Sequence, residues 1–284
     1  MPNSEDRGAR SASHSEDRGA RSASRDPGGL ETSLRASSTS RAPIRVERFD
    51  DRVVATLDRP DKRNAIDQAT IDALHLLCAE LEAVPRILIL TGADGVFASG
   101  ADIAELRERR ADDARRGINA NAFIRVADLP MPVIAALDGY ALGGGAELAY
   151  AADIRIATPR LKIGNPETGL GIIAAAGATW RLKEIVGDAR AAELLLTGRA
   201  IGADEARDIG LVSELHPADE LLAAAHAIAD RIARNDPAAT IATKRVFRAP
   251  RSEHPAVDLE AQAALFESPE KMRRMTEFLE RRQR

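Results

Sequence analysis

An α/β fold is predicted for this chain by three observations. Short apolar runs bounded by turn residues alternate with amphipathic stretches of helical spacing. One run, "RILIL" (86–90), is apolar along its length, as a strand covered on both faces must be. Glycines cluster where a strand should hand over to a helix, above all Gly143, Gly144 and Gly145 in "ALDGYALGGGAELAYAADIRI".

The elements follow in order. "PIRVERF" and "RVVATLD" are predicted as two strands around a turn at Asp50–Asp51. "RPDKRNAID" is a loop. Over 66–84, Ile66, Ile71, Leu74, Leu77, Cys78, Leu81 and Val84 recur at helical spacing. After "RILIL", the segment "TGADGVFASG" is a loop, and "ADIAELRERR" opens a helix with acids early and bases late, the order that suits the helix dipole. "PVIAALD" is a strand, the glycine-rich stretch a loop and a helix, and "DIRIAT" and "LKIG" are strands. From about 188 the pattern is mostly helical, with one strand at "LVSEL". The division expected is a tail over 1–42, a core over 43–225 and a helical region over 226–284.

The chain has 284 residues, is 44% hydrophobic and carries 40 basic against 44 acidic side chains, a net charge of −4. A large core is within reach, and no whole-chain field favours nucleic acid or an anionic membrane. Any bound anion must be held locally. The one cysteine, Cys78, excludes an internal disulfide and the paired-cysteine zinc motifs, and its place on the apolar helix face marks it as a small buried hydrophobe. The longest apolar runs, such as "GIIAAAGA", fall far short of the roughly 20 residues that span a bilayer. With no apolar signal core at the N-terminus, a cytoplasmic location is the expectation. In the tail, "SEDRGARSAS" at 4–13 recurs letter for letter at 15–24. Nearly free of large apolar side chains, that region cannot offset its ordering entropy and is predicted to stay disordered.

The glycines at 143–145 admit two readings. At a helix start the first amides have no intrahelical partner, and glycine leaves them bare to an oxygen bearing negative charge. A second strand–loop–helix junction, with Gly100 and Ala101 at the helix start, resembles the first, so two amides could serve one oxyanion hole. Alternatively, both groups permit tight turns and close helix packing. Other glycine chemistry is excluded: no Gly-Lys pair exists for a nucleotide phosphate loop, "FASGAD" is not a nucleophile elbow, and no histidine pair is spaced for a metal.

"LDRPDKRNAI", "FASGADIAEL", "PVIAALDGYALGGGAELAYAADIRIA", "IGNPETGLGI", "LLLTGRAIGADEARDIGLV" and "MTEFLERR" occur in the order seen in the enoyl-CoA hydratase/isomerase (crotonase) superfamily, which the chain resembles over about 43–284. The resemblance implies a spiral of ββα units with a C-terminal helical region, assembled as trimers or dimers of trimers. It implies an acyl-CoA substrate, a setting in fatty acid metabolism, no cofactor beyond the CoA that the substrate carries, and no nucleic-acid or membrane partner. The oxyanion-hole amides map to Ala101 and Gly144. The two hydratase glutamates map to Glu147, which orients and deprotonates water, and Glu167, which supplies a proton to the α-carbon. With Glu147 in the first helical turn, the dipole is expected to favour its ionised form. CoA is expected at Lys62, Arg63, Ala98, Ser99, Gly100, Asp102 and Ile103, with Phe278 and Arg282 reaching a neighbouring subunit's CoA.

The sequence departs from relatives after the second glutamate. Where many hydratases carry proline, glycines and glutamine, this chain reads "AAAGATWRL" (174–182), and Ala175 is expected to narrow the acyl end of the site. Enoyl-CoA hydration is the leading expectation. An acyl-CoA double-bond isomerase, which can work with one glutamate, and a non-catalytic acyl-CoA-binding relative are the alternatives. A serine peptidase would need a histidine beside Ser99, and none is near in sequence. Deleting residues 1–42 is expected to leave the circular-dichroism spectrum and turnover nearly unchanged; a large loss of either would show that the tail joins the core.

Overall fold

The computed structural model describes residues 41–282, so the predicted tail lies, through residue 40, outside the described residues. Contact with the folded unit starts earlier than residue 43. Arg41 Nε donates to Asp58 Oδ2 at 2.7 Å, and Asp58 is buried.

The hairpin forms as expected from β1 (Ile44–Arg48) and β2 (Arg52–Leu57). Helix α1 (Gln68–Ala83) starts behind Asp67, whose carboxylate caps the Thr70 amide at 2.9 Å. Ile66 therefore stands outside the helix and bridges to Ala101 instead. β3 (Ile87–Gly92) follows. The helix expected from residue 101 is three short ones: α2 (Ile103–Glu108), α3 (Ala111–Arg116) and α4 (Ile118–Ala127). The chain extends at Arg109 and turns left-handed at Gly117, at φ 62°. β4 (Val133–Leu137), β5 (Tyr140–Leu142), α5 (Gly144–Ala151), β6 (Ile154–Ala157) and β7 (Lys162–Gly164) lead to a single 3-10 turn over Pro166–Leu170. Next come α6 (Lys183–Val186), α7 (Asp188–Thr197), β8 (Ile201–Gly202), α8 (Ala203–Asp208) and β9 (Glu214–Leu215). Four helices close the chain: α9 (Leu221–Ala233), α10 (Pro237–Phe247), α11 (Ala256–Phe266) and α12 (Pro269–Arg281). The sequence pattern did not reveal β5 and β8. Each is three residues or fewer, too short for a period of two to register.

The main sheet runs β1-β2-β3-β4-β6-β9, parallel except for the β1–β2 pair; the second sheet is β5-β7-β8. Alternate side chains of β2, β3 and β4 enter two cores. Val53, Leu88, Leu90 and Val133 face the larger core with α1 and α4. Val54, Ile87, Ile89 and Ile134 meet Leu221, Ala225 and Ile228 of α9. "RILIL" is thus buried on both faces. The division expected at 225/226 falls inside α9, and that helix covers a face of the sheet, so no structural boundary lies there.

A charged cluster ties α10 to the end of the sheet. Lys244, 8% exposed, stands 2.8 Å from Asp153 Oδ2 and donates to the Met131 carbonyl at 3.0 Å. Arg248 reaches Asp153 Oδ1 at 2.6 Å, and the Val133 amide donates to Oδ2 at 2.8 Å. Breaking such a pair leaves a buried charge without its counter-ion. Asp153→Ala is expected to lower unfolding stability by about 3 kcal/mol in urea titrations, and a loss below that of an ordinary surface substitution would remove the cluster as an anchor.

Candidate active site

The three glycines have three separate reasons to be glycine. Gly143 takes φ 51°, and a Cβ there would stand 3.0 Å from Glu167 Oε1. A Cβ on Gly145 would stand 2.4 Å from the Ala98 carbonyl oxygen, too close for any side chain. Gly144 is the first residue of α5, and its Cβ position lies 3.4 Å from the Ala101 amide nitrogen. The two junctions singled out from sequence therefore meet. Hydrogen bonds from Ala98 N to Tyr140 O (2.9 Å) and from Leu142 N to Ala98 O (3.0 Å) hold them together. Among the described residues, no protein acceptor engages the amides of Ala101 or Gly144.

Ala101, Gly144, Glu147 and Glu167 line one cavity of about 550 Å³. Glu147 is 4% exposed, and its Oε1 accepts from the amides of Ala176 at 2.6 Å and Ala178 at 3.2 Å. Gly177, at φ 142°, makes the turn that brings both amides to one oxygen. The "AAAGATWRL" segment thus grips the carboxylate through Ala176 and Ala178, and Ala175 and Ala176 line the cavity. Glu167 is 8% exposed, in the 3-10 turn after β7, and its Oε2 has no partner.

The expectation that the dipole keeps Glu147 readily ionised is overturned. Burial raises its pKa to about 7; the Ala178 and Ala176 amides pull it back, and the Glu167 charge pushes it further up. Removing water from the carboxylate outweighs the partial charge of an eight-residue helix. Burial likewise raises Glu167.

The expected CoA residues scatter. Lys62 and Arg63 lie exposed on a 3-10 turn whose carbonyls receive the Ser99 hydroxyl and amide. Ser99 is half-buried, with no histidine in hydrogen-bond contact. Ala98, expected at the adenine, has a fully buried side chain, and its amide and carbonyl are bonded to Tyr140 O and Leu142 N. Asp102 is spent on capping α2 (Ala104 N, 3.0 Å) and on Arg59 at 3.6 Å, a structural task. Gly100 is buried, with its carbonyl taken by Ile66 N, and Ile103 is exposed outside the cavity. Phe278 and Arg282 pack on each other at the exposed end of the chain, the guanidinium 5.6 Å from the ring, and do not reach the cavity.

Sequence reasoning missed further residues that line the cavity. Arg109, Asn119, Ile172 and Ile173 all line the cavity. Arg109 sits in "ELRERR", which reads as a solvated charge run. The one clue was Gly117, a break placed where a longer helix was expected.

Residues 52–284 match the sequence model of the enoyl-CoA hydratase/isomerase family. The chain is 39% identical over 238 residues to the short-chain-enoyl-CoA hydratase of Clostridium acetobutylicum, covering 81% of this chain and 91% of that protein. Its fold is similar to the crystal structure of the Bacillus anthracis enoyl-CoA hydratase, with a TM-score of 0.80, 32% identity and coverage of 84% and 96%. A Thermobifida fusca YX chain solved in complex with CoA gives a TM-score of 0.72 at 29% identity, covering 79% and 93%.

The Glu147 pKa of about 7 lies above the ordinary 4.5, so the folded state holds this proton more tightly than the unfolded chain does. Its contribution to stability is complete below about pH 4.5 and is lost as pH rises through about 7. Glu147→Gln keeps an acceptor for both amides and removes the titration. Between pH 5 and 8.5, about the range bracketing that transition, the wild type is expected to lose more melting temperature than the variant; parallel curves would contradict it.

Proposed function

The chain belongs to the enoyl-CoA hydratase/isomerase family, and on that premise we propose that its cavity adds water across the double bond of a trans-2-enoyl-CoA thioester. The protein is an enzyme of the enoyl-CoA hydratase type. The observation that carries the assignment of chemistry to residues is the meeting of two buried carboxyl groups with two unengaged backbone amides on one cavity.

The thioester oxygen accepts from the amides of Ala101 and Gly144. Water stands between Glu147 and Glu167. Glu147 takes a proton from the water as the oxygen bonds to the β-carbon, and the electron pair of the double bond moves through the α-carbon onto the thioester oxygen as an enolate. The two amides hold that charge, and losing one such donor typically costs roughly 3–4 kcal/mol of barrier. Glu167 then gives its proton to the α-carbon. The hydrogen bonds support this division. Two amides aim at Glu147 Oε1 and favour its charged form, as a base needs. Glu147, raised to about 7 by burial, sits near the neutral range where a base works best, and among the described residues no donor faces Glu167 Oε2, which leaves that oxygen open to carry the proton an acid gives. The two carboxyl groups exchange protonation states in each turnover and reset through solvent.

No group beyond the substrate's own CoA takes part. Lys62 and Arg63 remain the proposed phosphate contacts, being exposed cations beside the Ser99 loop. The α12 helix presents Met272, Met275, Phe278 and Leu279 to solvent, all at least half exposed. That apolar face supports assembly with further copies, as a trimer or a dimer of trimers, in which Phe278 and Arg282 approach a neighbour's CoA.

Glu147→Gln and Glu167→Gln are each expected to cut hydration about 100-fold or more, followed by loss of the enoyl thioester absorbance. The double variant should be little worse than the poorer single one, because the groups act as a unit. Full turnover in Glu147→Gln with none in Glu167→Gln would replace hydration by isomerisation. Gly144→Pro removes one amide and places a Cβ against the other. It is expected to cost at least about 100-fold, with circular dichroism confirming the fold, and retained turnover would exclude Gly144.

A further inference from the structure

The cavity that holds the glutamates also holds a cation whose only ion pair among the described residues is a long one. Arg109 occupies the extended link between α2 and α3, and its side chain is 20% exposed. One of its terminal nitrogens donates to Asn119 Oδ1 at 2.9 Å, a neutral partner. The nearest carboxylate, Glu105, is 4.0 Å away and accepts from the Gln68 amide at 3.0 Å. Other half-buried arginines are served better. Arg248 meets Asp153 at 2.6 Å, and Arg59 meets Asp67 at 2.9 Å. Arg110, on the same wall, donates to the carbonyls of Arg107 and Arg109 and has no carboxylate within ion-pair distance among the described residues. The one acid of that wall, Asp113, is occupied by the Arg110 amide at 2.9 Å and by Arg116.

The remainder of this wall is apolar, with Leu106, Ile118, Ile172 and Ile173. A partly desolvated guanidinium facing such a space is costly unless an anion meets it. Asn119 spans the two ends. Its Oδ1 holds Arg109, and its Nδ2 is 3.6 Å from the Gly144 Cβ position, beside the oxyanion amides.

Resting on the hydratase reading, we propose that the favoured substrate carries an anion at the far end of its acyl chain, a carboxylate bound by Arg109. An acyl tail running from the oxyanion amides along the Asn119 wall meets the guanidinium. A methyl-ended tail would leave that charge with only its long contact to Glu105. The CoA phosphates offer the same anionic chemistry, so the test separates the two sources.

The full chain is assayed with trans-2-hexenoyl-CoA and with the CoA monothioester of the six-carbon trans-2-enedioic acid, and CoA alone is titrated by calorimetry. The wild type is expected to prefer the carboxylate-ended substrate by about tenfold or more in kcat/KM. Arg109→Gln should lower that value by about 30-fold, leaving the methyl-ended substrate within about threefold and CoA affinity unchanged, and Arg109→Lys should restore part of the loss. Equal kcat/KM for both substrates in the wild type overturns the proposal without any variant having to fold. Loss on both substrates together with weaker CoA binding gives Arg109 to a CoA phosphate and also overturns it. If the wild type turns over neither thioester, the hydratase reading itself falls, and this inference with it.

Discussion

The cavity depends on how closely helix α5 lies against the loop that leads into α2. Gly145 packs where no Cβ fits, 2.4 Å from the Ala98 carbonyl oxygen if one were built, and that oxygen also receives the Leu142 amide. This approach sets the Ala101 and Gly144 amides side by side, each at the mouth of a separate helix. It also explains why the short strand β5 exists. Pairing of Tyr140–Leu142 with β7 and with Ala98 fixes the height of the glycine turn relative to the main sheet.

A second constraint is the cost of burying two acids together. Glu147 and Glu167 are each nearly inaccessible, and the Glu167 charge pushes Glu147 upward. The fold offsets this cost unevenly. Ala176 and Ala178 present two amides to Glu147 Oε1, whereas Glu167 Oε2 is left bare. The asymmetry has a chemical use. Two like carboxyl groups in one cavity become distinct when two amide donors face an oxygen of one and no donor faces Oε2 of the other. The substitution-rich segment "AAAGATWRL" retains this grip because backbone amides do the holding, and only Gly177 has a conformational demand.

The same cavity shows how charge is used elsewhere in the chain. Asp153 pairs closely with both Lys244 and Arg248 and so fastens α10. Arg109 lines a ligand-sized space with a hydrogen bond to the amide oxygen of Asn119 and only a 4.0 Å contact to the Glu105 carboxylate. Closely paired ions serve the fold, and a loosely paired one on the cavity serves recognition in the proposed reading.

Periodicity and breakers alone determined the α/β class, the doubly buried strand expected at 86–90 and found at 87–92, and helix α1, and they marked the glycine cluster at a helix start while leaving its meaning open. The ordered motifs identified Glu147 and Glu167 as a pair. These features are local: each rests on a few consecutive residues whose spacing or backbone freedom is written in the chain. Tertiary structure decided the rest. It turned the expected ease of ionising Glu147 into a pKa of about 7, because burial comes from residues far along the chain. It engaged Ala98 in backbone pairing and Asp102 in a helix cap. It bent a run of charges at Arg109 so that one guanidinium faces inward. Desolvation and facing direction depend on what packs from elsewhere, and no window of sequence contains that information.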